Sequence, residues 1–511
     1  MNNFLKKSFL PFLLLISMMF FIGCSDDDTY PQMSGESKQY VLFTKSNPSV
    51  SGTVTFSKRS DNATVITVQL SGTSAGGNHP AHIHSNSAAE GGGILLDLNP
   101  IDGKTGKSET VVTALNSGSL VTYNQLIELD AYVNVHQSGT DLATLIAQGD
   151  IGVNELTNVS KTYPLGAVSN PAISGTAKFT KRVSGKTLIS IALTGTTAGV
   201  TSIAHLHVNT VAQTGGVIVD LTSITGATGK SETSVSKLNT GVAITYDELL
   251  NFDGYINVHE SASALSTLTA QGDIGKNELT STNKTYTLSA VSNSAISGTA
   301  KFTKRVSGEA LVSISLTGTT AGVSSPAHIH FNSAAAGGAI AIDLTAVNGT
   351  TGKSETSVKQ LNSGTKITYD ELLNFNGYIN VHQSASNLAT LIAQGNIGIN
   401  QASSTTVNYN VTNSGSSSYV FNGSGITNGN NPTLTLQRGK SYSFTMNSPG
   451  HPFLIKTVQT TGTANAYSNG VTNNGNTSGV ISFTVPSDAP NTLYYICEFH
   501  SSMTAVITIT N

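Results

Sequence analysis

Four residues near the C-terminal end of the chain have the types and spacing to do chemistry together. Cys497 ends an apolar, aromatic and β-branched run, Leu493–Ile496; His500 follows three residues later and Met503 three after that. Strand composition resumes at Val506–Ile509, so one tight loop brings a thiolate, an imidazole and a thioether to a single point. That soft, mixed nitrogen and sulfur set suits copper rather than magnesium or calcium. A second imidazole must come from elsewhere. His451, in Ser448-Pro449-Gly450-His451-Pro452-Phe453, is the only other histidine in this part of the chain. Taken singly, a cysteine is a small buried hydrophobe and a methionine is core filler; here the order and spacing of the four argue for ligands. A disulfide is not the alternative, because Cys24 is the only other cysteine and has a different setting.

The same residues resemble a known family. From about Asn408 onward the chain is similar to the cupredoxins, blue-copper domains of the plastocyanin and amicyanin kind, and Cys-x2-His-x2-Met is their short-loop spacing. The resemblance implies one type 1 copper per chain, with His451, Cys497 and His500 in a trigonal plane and Met503 as the weak axial ligand. It implies electron transfer with a redox partner protein, not an enzyme, and makes His500 the edge through which electrons pass. Many relatives have an asparagine directly after the first histidine, which ties the two ligand loops together. This chain has Pro452 there, and the loop tie is left open.

At the other end, Lys6 and Lys7 precede an apolar run from Phe9 to Ile22, followed by Gly23-Cys24. This is a signal peptide rather than structure. Gly23-Cys24 resembles a lipobox, which implies cleavage before Cys24 and lipidation of its thiol. An uncleaved membrane anchor is the alternative, but the run is short and contains Pro11. Ser25-Asp26-Asp27-Asp28 resembles the acidic tag of surface-displayed lipoproteins, or else is a solvated spacer. The expectation is an exported, outer-membrane, cell-surface lipoprotein that meets the membrane through its lipid alone. Only 11% of residues are charged and the net charge is −3, so the clustered Lys and Arg that grip nucleic acid are missing.

Between these ends the chain repeats itself. Ala81-His82-Ile83-His84 returns as Ala204-His205-Leu206-His207 and Ala327-His328-Ile329-His330, at intervals of 123 residues. Asn134-Val135-His136 returns as Asn257-Val258-His259 and Asn380-Val381-His382. That interval suits a small domain rather than a solenoid unit. Gly175–Val183 and Lys186–Leu193 read as strands joined at Ser184-Gly185, and Thr245-Tyr246-Asp247-Glu248 is a capping box opening one short helix. Side chains alternate faces along a strand. Leu206 therefore opposes His205 and His207, and Ile256 and Val258 oppose Tyr255, Asn257 and His259. With the aliphatic faces as core, all three histidines of a copy lie on the outer face, beneath loops or in solvent. Such a set could bind copper or zinc, or be a hydrogen-bonded network that pins a loop. Copy one differs from the others across much of its length yet keeps His82, His84, His136 and Asp97, the counterpart of Asp220 and Asp343; His79 occurs in copy one only.

The His-x-His, the Gly-Gly before a hydrophobic strand, the Tyr-x-Asn-Val-His and the closing Gln148-Gly149-Asp150-Ile151-Gly152 resemble the CHRD domain found in chordin and bacterial exported proteins. Copy three departs from the closing motif, with Asn396 in place of the aspartate. The resemblance implies a Greek-key barrel like that of Cu/Zn superoxide dismutase, but not that activity, since each copy offers too few histidines. The expected fold is all-β: three tandem Greek-key barrels or sandwiches, then a cupredoxin sandwich. The expected divisions are a signal peptide at 1–24, a linker at 25–37, repeats at 38–160, 161–283 and 284–404, and a copper domain at 405–511, with a Ser/Gly joint at Ser414–Ser418. The alternative to an electron carrier is a surface binding or adhesion protein, whose repeats engage a surface ligand while the copper domain scavenges or delivers metal.

Overall fold

The computed structural model describes residues 31–401, 406–486 and 489–510; the expected signal peptide and Cys24 lie outside them. The first repeat is a closed barrel of β1 (Met33–Thr44), β2 (Ser51–Arg59), β3 (Thr64–Ser71), β4 (Asn78–Ser85), β5 (Ile94–Asp102), β6 (Lys107–Val112), β7 (Asp130–Ser138) and β8 (Asp141–Gly152). Around the barrel they run β1-β2-β3-β6-β5-β4-β7-β8. The crossings from β3 to β4 and from β6 to β7 make this a Greek key. Alternation chooses the inside: Val54 and Phe56 of β2, Ile66 and Val68 of β3, Ile83 of β4, and Val133 and Val135 of β7 are all fully buried in one core. Each such side chain is worth about 1.5–3 kcal/mol. A single helical turn, α1 (Tyr123–Leu126), is held by a capping box in which Thr122 and Gln125 satisfy each other's backbone N–H.

The second and third repeats close in the same order, from Leu156–Ala167 to Leu268–Gly275 and from Leu279–Ala290 to Asn387–Gly398. The capping box read at Thr245–Glu248 opens the turn Tyr246–Leu250, and Thr368 opens Tyr369–Leu373 likewise. The repeat boundaries differ from expectation. The cuts after residues 160 and 283 fall inside Leu156–Ala167 and Leu279–Ala290, and β1 already begins inside the expected linker. The first halves of these strands are mostly exposed, so no buried face marks them in the sequence.

Successive barrels are joined by a buried ion pair. Arg182 ends strand Ser174–Arg182 of the second barrel with its side chain fully buried, and it donates to Asp150 of the first barrel at 2.6 Å and to the Asn154 carbonyl. The N–H groups of Val183 and Ser184 donate to the carbonyls of Glu155 (3.0 Å) and Val153 (2.9 Å). The Ser184-Gly185 hairpin tip is thus also a plug. Arg305 repeats this with Asp273 at 2.7 Å and with the Asn277 carbonyl. Each aspartate divides its oxygens: Oδ2 takes the arginine, while Oδ1 accepts a loop N–H of its own barrel, from Ala88 or Val211, at 2.8 Å. In the third barrel Asn396 Oδ1 keeps only the internal bond, from the Ala334 N–H at 2.8 Å. In the first barrel Arg59, counterpart of Arg182, pairs with its own neighbour Asp61 at 2.7 Å.

The C-terminal domain has two sheets. One orders Ile426–Asn430, Ser418–Gly423, Val407–Ser414, Ser441–Asn447, Ser478–Thr484 and Val471–Thr472; the other orders Leu434–Gln437, Thr504–Thr510, Thr492–Cys497 and Phe453–Lys456. Their core is aromatic, with Phe453 stacked on Tyr495 at 5.2 Å and Tyr409 on Phe444 at 5.6 Å. The expected joint at Ser414–Ser418 is instead a hairpin inside this domain. Ser414 and Ser418 pair across it, and Gly415 sits at φ +52°, which glycine adopts without steric cost.

Removing one partner of a buried ion pair leaves the other charge uncompensated, at about 3–5 kcal/mol. Arg182→Ala should therefore lower stability by about that much in urea unfolding, whereas Arg59→Ala, which breaks a more exposed pair, should cost under about 1 kcal/mol. Equal losses in the two variants would deny the junction its role.

Candidate metal centres

In the C-terminal domain, sheet register brings the ligand loops together. Phe453 pairs with Cys497 across strands Phe453–Lys456 and Thr492–Cys497, which places His451 and the Cys497–Met503 loop at the same sheet end. Cys497 Sγ lies 3.5 Å from His500 Nδ1 and 3.9 Å from His451 Nδ1, and the two nitrogens are 3.2 Å apart. A cation in a trigonal plane, about 2.0 Å from each nitrogen and about 2.3 Å from sulfur, needs roughly 3.5 Å between nitrogens and 3.7 Å from nitrogen to sulfur. The three donors therefore fit a first-row transition ion with little movement. Cys497 and Met503 are both fully buried, and the Cys497 N–H donates to the Met503 carbonyl at 3.0 Å, closing the loop on itself.

The tie that Pro452 leaves open is made by the backbone and by Tyr419. The Glu498 N–H donates to the Pro452 carbonyl at 3.1 Å and so links the two ligand loops directly. Tyr419 Oη lies 3.0 Å from the carbonyl oxygens of both His451 and Pro452, and Ser448 Oγ donates to the His451 carbonyl at 3.2 Å. Burial, reinforced by nearby Cys497, pushes the Tyr419 phenol far above its ordinary range, so it remains a neutral donor. Lys456, at the end of the strand that follows His451, is fully buried and donates to the carbonyls of Thr460 (2.6 Å) and Gly462 (2.7 Å), fixing the next loop. Neither Tyr419 nor Lys456 has a motif around it that marks this task.

The repeat histidines also converge. His82, His84 and His136 present ring nitrogens within 4.8 Å of one another, as do His205, His207 and His259, and His328, His330 and His382. As strand alternation requires, these rings lie outside the barrel core, but loops cover them. His136 is 7% and His382 8% exposed. Carbonyl oxygens only accept, so the ring nitrogen facing each must carry the proton. His84 Nδ1 faces the Gly92 carbonyl at 3.0 Å and His136 Nδ1 faces that of Leu142 at 2.6 Å. His330 and His382 do the same with Gly338 at 2.9 Å and Leu388 at 2.6 Å. The Gly-Gly signal has its reason here: a Cβ on Gly92 would stand 2.0 Å from the Ser85 carbonyl, so only glycine lets the Gly92 carbonyl reach the His84 imidazole.

Cross-strand pairing sets the carboxylates. His82 is opposite Asp97 and His328 opposite Asp343, with Nε2 3.7 Å from a carboxylate oxygen in each. His205 and Asp220 stand at the same 3.7 Å. The second oxygen accepts from an asparagine, Asn116 at 2.9 Å and Asn362 at 3.0 Å. His84 and His330 are stacked on Tyr132 and Tyr378. Burial, then the neighbouring His136, hold His82 below the usual imidazole range against the pull of Asp97; burial does the same for His136 and His328. His79 is not part of the trio. Its Nδ1 lies 2.8 Å from the Gln137 carbonyl, the place Ser202 and Ser325 take with Glu260 and Gln383.

Residues 32–141 match the CHRD domain family. The match covers the first barrel up to the start of β8, and the two later barrels repeat its motifs at a constant interval. No curated protein matches the chain. Among solved structures the chain is similar to a biofilm-associated protein, BSP domain, at 11% identity over 97% of this chain and 98% of that one, with a TM-score of 0.13. A likeness that low carries no argument.

Tyr419→Phe removes the one hydroxyl that bridges both carbonyls of the first ligand loop. Losing a hydrogen bond of this kind should cost about 1 kcal/mol, read as a lower unfolding midpoint of the C-terminal domain, with faster amide exchange at Glu498. Unchanged exchange there would mean that the loop is held without Tyr419.

Proposed function

We propose that the C-terminal domain is a cupredoxin-like type 1 copper centre that carries single electrons, presented outside the cell by a chain lipidated at Cys24. One observation carries this reading: Cys497 Sγ, His451 Nδ1 and His500 Nδ1 converge within 4.8 Å, and Met503, at the end of the Cys497 loop, is fully buried. Copper bound there would cycle between Cu(II) and Cu(I) and so take up and release one electron. The chain's own part is to hold the donors still. The Glu498 to Pro452 bond and the Tyr419 clamp restrain both loops, which limits how far ligands move when charge changes. His451 and His500 are only half-buried, and Phe499 between Glu498 and His500 is 61% exposed. With exposed Pro449 and Gly450 it gives the imidazole edge an apolar surround suited to brief docking of a redox protein.

The repeated barrels favour a second reading, in which they bind a surface ligand multivalently and the copper domain is accessory. It requires that residues 32–401 alone bind a cell surface.

Copper-loaded protein should show an intense visible thiolate-to-copper band that Cys497→Ser abolishes while the far-ultraviolet circular dichroism stays unchanged. Phe499→Glu should keep the band and slow reduction by a donor protein at least several-fold. A colourless copper complex of the native chain would end the electron-carrier reading.

A further inference from the structure

The repeat histidines carry an inference independent of the C-terminal centre. In each barrel the polar surroundings dictate where the imidazole protons sit. In the first, the Gly92 and Leu142 carbonyls take the Nδ1 protons of His84 and His136. Asp97 stands on the Nε2 side of His82 and is itself oriented by Asn116. The nitrogens left facing one another are His82 Nδ1, His84 Nε2 and His136 Nε2; those of His84 and His136 are bare lone pairs, because both protons are on Nδ1. His82 Nδ1 and His136 Nε2 are 3.1 Å apart. A shared proton could bridge those two, yet His84 Nε2 is buried and makes no hydrogen bond. In the third barrel, His328 Nδ1 and His382 Nε2 are both buried without a hydrogen bond. His330 Nε2 reaches only Asn380, at 3.5 Å.

Lone pairs forced together away from water cost free energy unless a cation accepts them. A proton satisfies two; a metal ion satisfies three. We propose that each barrel holds one divalent first-row transition ion of the zinc or copper(II) kind, ligated by His82 Nδ1, His84 Nε2 and His136 Nε2 and by the matching nitrogens of His205, His207 and His259 and of His328, His330 and His382. All-imidazole donors suit these ions and not magnesium or calcium. Three protein nitrogens also leave a fourth coordination position for an exogenous ligand. Asp97, Asp220 and Asp343, with the Gly92- and Leu142-type carbonyls, are positioning groups that fix ring orientation and raise donor strength.

The test uses the full chain, stripped with a chelator and titrated with Zn2+ against a chromophoric indicator. Three tight equivalents should appear beyond any taken by the C-terminal domain. His136→Ala, His259→Ala and His382→Ala should remove them one at a time, while Cys497→Ser leaves all three. Because an alanine could disturb the barrel, the exposed carboxylates supply a milder arm. Asp97→Asn, Asp220→Asn and Asp343→Asn combined should weaken these sites about 10–100-fold with an unchanged melting curve of the metal-free protein. The Cu2+ arm should give the same stoichiometry, with a nitrogen-ligated electron paramagnetic resonance signal that persists in Cys497→Ser. Zinc uptake unaltered in the triple alanine variant, or affinity within twofold in the triple asparagine variant, would overturn the proposal.

Discussion

Burial of alternate aliphatic side chains inside a closed barrel is the constraint from which the rest follows. With Ile83, Val133 and Val135 inside, strand geometry leaves His82, His84, Tyr132, Asn134 and His136 no choice but the outer face. A shift of one residue in register would put imidazoles in the core and aliphatic groups under the loops. The hydrophobic effect thus orients the histidines without touching them. The loops then cover that outer face and supply the carbonyls that decide each ring's tautomer.

Two kinds of donor cluster result, and they differ in a way that matters chemically. The C-terminal cluster mixes a thiol with two imidazoles, a set suited to a metal that changes oxidation state. The barrel clusters are nitrogen only, each with an aspartate behind one ring, a set suited to an ion that keeps its charge or binds an added ligand. Both are rigid for the same reason. Their ligands sit on paired strands or in loops closed by backbone hydrogen bonds, such as Glu498 to Pro452.

The junctions explain a sequence irregularity. Asp150 and Asp273 each face an arginine of the next barrel, and each also accepts a loop N–H in its own barrel. At the equivalent place in the third repeat, Asn396 retains the carbonyl-type acceptor for the Ala334 N–H while dropping the charge. Among the described residues no arginine faces Asn396 as Arg182 faces Asp150, and a neutral amide keeps the Ala334 contact without one. The substitution is what desolvation predicts at the end of a series.

The residues themselves announced the repeats, the all-β class, the hairpins, the capping boxes and the thirteen histidine and sulfur positions at issue, because periodicity, turn chemistry and ligand spacing are local properties. The outward pointing of the histidines was also legible, since alternation is a property of a single strand. Their burial was not: it depends on loops folding over the strands. Nor was the extent of the first strand in each barrel, whose leading half buries no face, or the hairpin at Ser414–Ser418, whose flanking strands show their pairing only in the sheet. Tyr419 and Asn116 reach their partners 32 and 19 residues away, and the Gly92 and Leu142 carbonyls meet their imidazoles only through the way each loop folds back. Which nitrogen of His84, His136, His330 and His382 carries the proton was decided by the tertiary structure alone, because a tautomer is set by whatever lies at hydrogen-bond distance.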